Sequence, residues 1–264
     1  MNIFNFYFFG VLGGLVVLCA LCKESDDLRC SHLLPKCAYR VIGKSKRQKA
    51  SPVFVRSKRN LASPTDYQYK KYLLCSSCEQ LFSTREDIIS KYWFRKPGFL
   101  LKEQLRQVTC YEGDDFARFY PVYPPVTLDE EDLYYFALSL LWRSCAGSWG
   151  DYEGVNGFSG KVLHSIGEYL LGRSSAPSNV RVLVFVDWSG VLEQIMTLPV
   201  GKEGKVQIVV LGLCIEIYVE DVIADPLVRS LQSLNQKVAL ILDNKRCAEV
   251  FGFIHAMARK TQEQ

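Results

Sequence analysis

The sequence predicts a mixed α+β chain in two parts, a small cysteine-containing module followed by a larger α+β domain. Two Cys-x2-Cys pairs lie in the first third of the 264 residues. Runs of β-branched and apolar residues typical of buried strands dominate only from residue 180 onwards. We therefore divide the chain into three ranges: an apolar segment 1–18, a module 19–107 and a C-terminal domain 108–264.

Composition and charge restrict the class of protein. A hydrophobic fraction of 48% and a charged fraction of 23% are ordinary for globular chains, which excludes a disordered tail, a coiled coil and a multi-span membrane protein. The net charge of +4 conceals an asymmetry, because residues 23–107 hold 19 basic and 8 acidic residues and residues 108–264 hold 13 and 20. Such a local excess of positive charge attracts polyanions.

The first 22 residues are uncharged and mostly apolar. A transmembrane helix needs about 20 such residues, but a secretory signal would begin with basic residues that are missing here. If the chain must bend at Cys19 to bind metal, about 16 apolar residues remain, or about 24 Å of helix against a hydrocarbon core of about 30 Å. Two interpretations stay open: the segment is a membrane anchor, or it lies upstream of the true start. We expect a cytoplasmic protein, or one anchored through residues 2–18.

The remaining elements follow from periodicity and end signals. Within the module, the sequence predicts a strand over 69–74 that leads into the second cysteine pair, a helix over 79–94, and a loop or weak hairpin over 41–66. The acidic run that begins at Asp129 suits a helix N-terminus. In the C-terminal domain we predict one helix from this acidic run to about residue 145 and two more over 155–171 and 244–259. We predict strands over 180–187, 206–219 and 237–242.

The two cysteine pairs are the strongest indication of a specific site. Zinc prefers four tetrahedral thiolate or imidazole ligands, and two Cys-x2-Cys knuckles supply them with little strain. In a reducing compartment such pairs indicate metal rather than disulfides. We therefore predict a structural Zn²⁺ held by Cys19, Cys22, Cys75 and Cys78. The alternative is four unrelated buried cysteines.

The order of motifs extends this prediction. The first pair is followed by Ser31-His-Leu-Leu-Pro-Lys36, by Tyr72-Leu-Leu-Cys-x2-Cys-Glu-Gln-Leu-Phe-Ser83, and later by Ser139-Leu-Leu-Trp-Arg143. This order resembles the zinc-containing branch of the HNH (ββα-metal, treble-clef) nucleases, and more closely a family of largely uncharacterised HNH-like bacterial proteins. The resemblance is specific over residues 19–94 and weak beyond Arg143. It implies a treble-clef zinc module. Because the first cysteine pair lies near the initiating Met in that family, it also favours a later start.

The resemblance also implies a catalytic site. In HNH enzymes the first His activates water as a general base, and a divalent cation polarises the scissile phosphate. The resemblance places His32 at the base position, with Glu79 and Glu86 as candidate ligands of a catalytic Mg²⁺ or Mn²⁺. His32 has two other interpretations, a further zinc ligand or a ring that packs on the knuckle. Each Glu also has a non-catalytic interpretation, as a surface charge or as a partner of the helix dipole.

Three positions depart from the nuclease pattern. Ser31 stands where an acidic residue usually precedes the His, Glu79 stands where a second His is expected, and no Asn lies shortly before Cys75. The alternative to an endonuclease is therefore a non-catalytic zinc module that binds nucleic acid or protein. Membrane contact is expected only if residues 1–18 are genuine.

Basic residues cluster around the proposed site in sequence. Phosphate contacts from such residues give salt-sensitive binding that does not depend on base sequence, and Tyr67, Tyr69 and Tyr72 could stack on bases. We predict nucleic acid as the partner, bound through Lys36, Arg40, Lys44, Lys46, Arg47, Lys49, Arg56, Lys58 and Arg59. The alternative is a solvated basic loop.

Overall fold

The structure is a computed structural model that describes residues 17–44, 53–56, 61–64, 67–95, 98–108, 112–113, 117–121, 127–202, 204–219 and 225–260. Most of the apolar segment 1–18 and five of the predicted nucleic-acid contacts therefore lie outside the described residues: Lys46, Arg47, Lys49, Lys58 and Arg59. Within these ranges, every helix is too short or too polar to cross a membrane.

The module is built on a β-hairpin that continues directly into a helix. Strand β1 (Leu28–His32) pairs antiparallel with β4 (Lys70–Cys75), and α2 (Ser76–Ile89) begins at the residue after β4. Between the two strands lie α1 (Lys36–Lys44) and a second hairpin, β2 (Val53–Arg56) with β3 (Leu61–Pro64). The second cysteine pair thus occupies the turn from strand to helix.

The C-terminal domain contains a seven-stranded sheet. Its strands are β7 (Glu112–Gly113), β8 (Ala117–Pro121), β9 (Val180–Val186), β10 (Val200–Lys202), β11 (Lys205–Val210), β12 (Leu213–Val219) and β13 (Val238–Asp243). The order across the sheet is β10-β11-β12-β9-β13-β8-β7, and neighbours are antiparallel except for β9 with β13. A short hairpin of β5 (Phe94–Arg95) and β6 (Gly98–Phe99), followed by α3 (Leu100–Leu105), connects the module to this sheet.

Helices cover both faces of the sheet, so its central strands are apolar on both sides. On one side α4 (Glu130–Cys145) and α5 (Gly160–Leu170) pack on alternate residues such as Val182 and Ile215. On the other side α6 (Pro226–Ser233) and α7 (Asn244–Lys260) pack on the residues between them, such as Leu183. This explains the continuous apolar runs in the sequence. The predicted mixed α+β class is confirmed.

Helix α4 also forms the contact between the two parts of the chain. The Phe82 ring of α2 meets the Trp142 and Tyr135 rings of α4 edge to face, at centroid distances of 6.2 and 6.1 Å. At the edge of this contact, Arg85 forms an ion pair with Asp132. Buried residues of the module and of the sheet belong to one hydrophobic core. The division at residue 107 stays a prediction.

Candidate metal centre

The four predicted cysteine ligands converge in space. Their Sγ atoms all lie within 4.8 Å of one another, and those of Cys22 and Cys75 are 3.8 Å apart. Zinc–sulfur bonds of about 2.3 Å in a tetrahedron would place the sulfurs about 3.8 Å apart. The arrangement could therefore bind a metal such as zinc, from two knuckles that are distant in sequence.

The first knuckle is shaped by backbone hydrogen bonds. Lys23 takes a left-handed φ of 63° and donates its N–H to the Cys19 carbonyl, while Ala20 N–H donates to Leu73 O at 2.9 Å and ties the knuckle to β4. Burial raises the pKa of Cys19, but hydrogen bonds from the backbone N–H groups of Cys75, Cys22 and Leu21 outweigh it and lower this pKa to about 7. The lowered pKa favours the thiolate at Cys19, whereas burial raises the pKa of Cys22 and of Cys78.

The second knuckle lies at the N-terminus of α2. Cys75 has extended backbone dihedrals as the N-cap, and Cys78 lies in the first turn with its side chain buried. A strand that turns directly into a helix presents both thiols at one end of the helix. The sequence spacing of two residues between Cys75 and Cys78 fits this geometry.

The knuckles pack against the C-terminal domain. A Cβ atom added at Gly167 of α5 would lie 3.6 Å from Leu21 Cδ1 and 3.4 Å from Trp142 Nε1. Helix α5 therefore lies close to the first knuckle, although these distances are ordinary van der Waals contacts that a Cβ atom would also allow. Three of the four cysteines are buried and Cys22 is half-buried, so the cluster is part of the core rather than a surface attachment.

His32 lies at the end of β1, directly opposite Lys70 of β4. Its Nε2 is 3.0 Å from Gln68 Oε1, and its ring is tilted against Tyr39. It is not part of the metal-ligand cluster found among the described residues. Burial lowers the pKa of His32, and the charges of Lys36 and Lys70 lower it further against opposing effects of Gln68 and Glu79. The lowered pKa favours the neutral form of the ring.

Glu79 lies in the first turn of α2. Its Oε2 accepts a hydrogen bond of 2.7 Å from Ser31 Oγ. Ser31 and Glu79, two of the positions that depart from the nuclease pattern, are thus direct neighbours at the end of β1. The Glu79 charge acts on His32 without a hydrogen bond between the two side chains among the described residues.

Glu86, the other carboxylate predicted for the site, has a different partner. Its Oε1 accepts a hydrogen bond of 2.6 Å from Nη2 of Arg143 in α4, and Arg143 is only 2% exposed. Burial raises the pKa of Glu86, and the adjacent Arg143 guanidinium acts against this rise. Glu86 is therefore engaged in a buried ion pair between two helices and not a free carboxylate beside His32.

The charges of two basic residues, Lys36 of α1 and Lys70 of β4, act on His32. Lys36 begins α1 and Arg40 follows one turn later, and both are exposed. Lys44 ends α1 and Arg56 ends β2. The exposed Lys70, opposite His32, was absent from the predicted contacts. Its position at the start of the strand that leads to Cys75 could have indicated it.

The three tyrosines of this region differ in exposure. Tyr69 is buried, and its hydroxyl donates to Asp151 Oδ1 at 2.9 Å. Tyr67 and Tyr72 are 49% and 72% exposed. Tyr72 lies beside Asp26 and Asp27, which line one cavity with it. Tyr69 therefore has a packing role, and the Tyr72 end of the hairpin is acidic.

A second polar cluster, which the sequence did not indicate, lies within the sheet. Glu216 of β12 is completely buried and accepts hydrogen bonds or ion pairs from Lys205, Arg246 and Tyr218, all at 2.7 Å. The two cations lower the pKa of Glu216 against the effect of burial, which is the largest influence. Both of its oxygens have partners, so we assign this cluster to packing of α7 on the sheet.

Comparison of the chain with protein-family models, with curated proteins and with solved structures gave no match.

Proposed function

We propose that the four cysteines hold a structural zinc ion and that this zinc-scaffolded module binds nucleic acid through the surface around His32. The positions of Lys70, opposite His32, and of Lys36, whose charge also acts on His32, support the proposal, and the exposed Arg40 follows Lys36 by one turn of α1. In the sequence, the basic segment 45–66 lies between α1 and Gln68, whose side chain contacts His32. A reducing compartment such as the cytoplasm would keep the thiols available for zinc.

The arrangement of elements supports the proposed HNH-like relationship. A knuckle, a β-hairpin and a helix with the second cysteine pair in its first turn follow one another. This is the order that the resemblance to the ββα-metal proteins implies. A purified full-length chain that holds no zinc, or that binds neither DNA nor RNA at low salt, would contradict the proposal.

Removal of one phosphate-contacting lysine should change the salt dependence of binding. For Lys36→Ala or Lys70→Ala we expect weaker binding to all sequences alike and a slope of log K against log[salt] that falls by about 0.7–0.9. Fluorescence anisotropy between about 50 and 200 mM salt measures this slope. Lys245→Ala, an exposed lysine in α7, is the matched control and should keep the slope of the unmodified chain. Equal slopes for all three variants would exclude this surface.

A second candidate function is metal-dependent phosphodiester hydrolysis, favoured by the hydrogen bond between Glu79 and Ser31, the residue before His32, and by the effect of the Glu79 charge on His32. A neutral imidazole can accept a proton from water. Mg²⁺ or Mn²⁺ would supply Lewis-acid stabilisation of the phosphate, and Glu79 is the residue that would hold the cation.

If this second function holds, His32→Ala should lower the cleavage rate by about 10²–10⁴-fold, since a general base contributes this much. Nicking of plasmid DNA with Mg²⁺ or Mn²⁺ measures the rate. His164→Ala, on the exposed side of α5, is the control and should cleave as the unmodified chain does. Cleavage that is equal in both variants would exclude His32 as the general base, and binding without cleavage by the unmodified chain would leave the module non-catalytic.

A further inference from the structure

We infer that Arg143, a residue of the C-terminal domain, is a positioning residue that holds His32 of the module in place. The inference concerns the same surface and rests on the proposed function only where it gives His32 a role in binding or hydrolysis. The geometry of the contact stands independently of that role.

Arg143 reaches across from α4 to the end of β1. Its Nη1 donates to the main-chain carbonyl of His32 at 2.8 Å, and its Nη2 donates to Glu86 Oε1 at 2.6 Å. Its Nε donates to Ser139 O one turn earlier in α4. One guanidinium therefore connects α4, α2 and the last residue of β1.

The guanidinium is itself tightly restrained. Arg143 is 2% exposed, and its own carbonyl accepts a hydrogen bond of 3.0 Å from Trp149 Nε1. Its guanidinium also lies over the Phe82 ring, 5.3 Å from the centroid. A guanidinium that moved away from Glu86 would leave two buried charges without compensation. Arg143 is thus a restrained donor, and its hydrogen bond restrains the position of the His32 carbonyl.

His32 is the last residue of β1, and the chain turns at Pro35 into α1. The peptide plane after His32 is restrained from two sides, because Arg143 donates to the His32 carbonyl and Leu33 N–H donates to Tyr69 O at 2.9 Å. The contact with Gln68 restrains the ring. Arg143 of α4 therefore contributes to the backbone orientation from which the imidazole projects.

The decisive experiment follows the imidazole of His32 by NMR in the full-length chain, which has 3 His. Arg143→Lys keeps the charge beside Glu86 but cannot donate to two acceptors in a fixed fork. We expect the His32 ring signals to shift while those of the exposed His164 and His255 stay in place. We expect nucleic-acid affinity, or the cleavage rate, to fall by about 10-fold or more, as for other supporting residues of functional sites.

The matched control is Arg85→Lys. Arg85 pairs with Asp132 across the same two helices and has no hydrogen bond to β1 among the described residues. This variant should leave all three histidine signals unchanged. If Arg143→Lys fails to fold, Arg143→Met/Glu86→Met removes the contact without leaving a buried charge alone, and its His32 signals should shift in the same way.

The outcomes separate the inference from the proposed function. His32 signals that stay in place in folded Arg143→Lys or in the double variant would overturn the positioning role, even if the melting temperature falls. An unmodified chain that neither binds nor cleaves nucleic acid would overturn the proposed function, while the imidazole signals would still decide the inference.

Discussion

Replacement of Cys75 or Cys78 by Ser is expected to abolish zinc binding and to destabilise the whole chain. The cluster is largely buried, and the core around it continues into the C-terminal sheet. Loss of a structural metal is among the few single changes that cost more than about 5 kcal/mol. At about 2–4 °C per kcal/mol for a chain of this size, the melting temperature should fall by at least about 10 °C.

The control for this prediction is Cys30→Ser. Cys30 lies in β1, is exposed, and is not part of the cluster. This variant should keep its zinc and its melting temperature, as metal analysis and thermal unfolding would show. A Cys75→Ser protein with the melting temperature and the zinc content of the unmodified chain would contradict the assignment of the ligands.

The second large effect is expected at the ion pair between α2 and α4. Arg143→Ala leaves the Glu86 carboxylate buried without its partner, so we expect the free energy of unfolding to fall by about 3–5 kcal/mol. In Arg143→Met/Glu86→Met no charge is left unpaired, and much of this loss should be recovered. Urea unfolding of the single and double variants measures both values.

The Arg85–Asp132 pair provides the comparison. It joins the same helices, but the Arg85 side chain is 36% exposed, and pairs near the surface contribute about 0–1 kcal/mol. Arg85→Ala should therefore be much less destabilising than Arg143→Ala. Equal losses for the two variants would show that burial of the Arg143 pair has no special energetic weight.

The convergence of the four cysteines was predictable because the spacing within each Cys-x2-Cys pair indicates a metal-binding knuckle. Two Cys-x2-Cys pairs define knuckles locally, whatever the length of chain between them. The helix over Glu130–Cys145 was predicted for a similar reason, since its acidic first turn marks the start and Asp129 accepts the N–H groups of Glu131 and Asp132. Such signals lie within a few residues of the feature that they predict.

Features that depend on contacts between distant residues were not predictable in the same way. The sequence indicates that Glu86 is a carboxylate on a helix, but it does not indicate its partner Arg143, which is 57 residues away. Helix α1 lies partly within a basic run that suggested a loop, and burial of Ala38 in the core stabilises it. The run predicted as one strand over 206–219 is two strands, because Leu211 and Gly212 take positive φ values of 48° and 88° in a turn.

Metal analysis of the purified full-length chain, combined with X-ray absorption at the zinc edge, tests the central claim most directly. We predict about one zinc per chain, coordinated by four sulfur atoms at about 2.3 Å. A chain that is folded without zinc, or a zinc ion with fewer than four sulfur ligands, would contradict the assignment of Cys19, Cys22, Cys75 and Cys78 as its site.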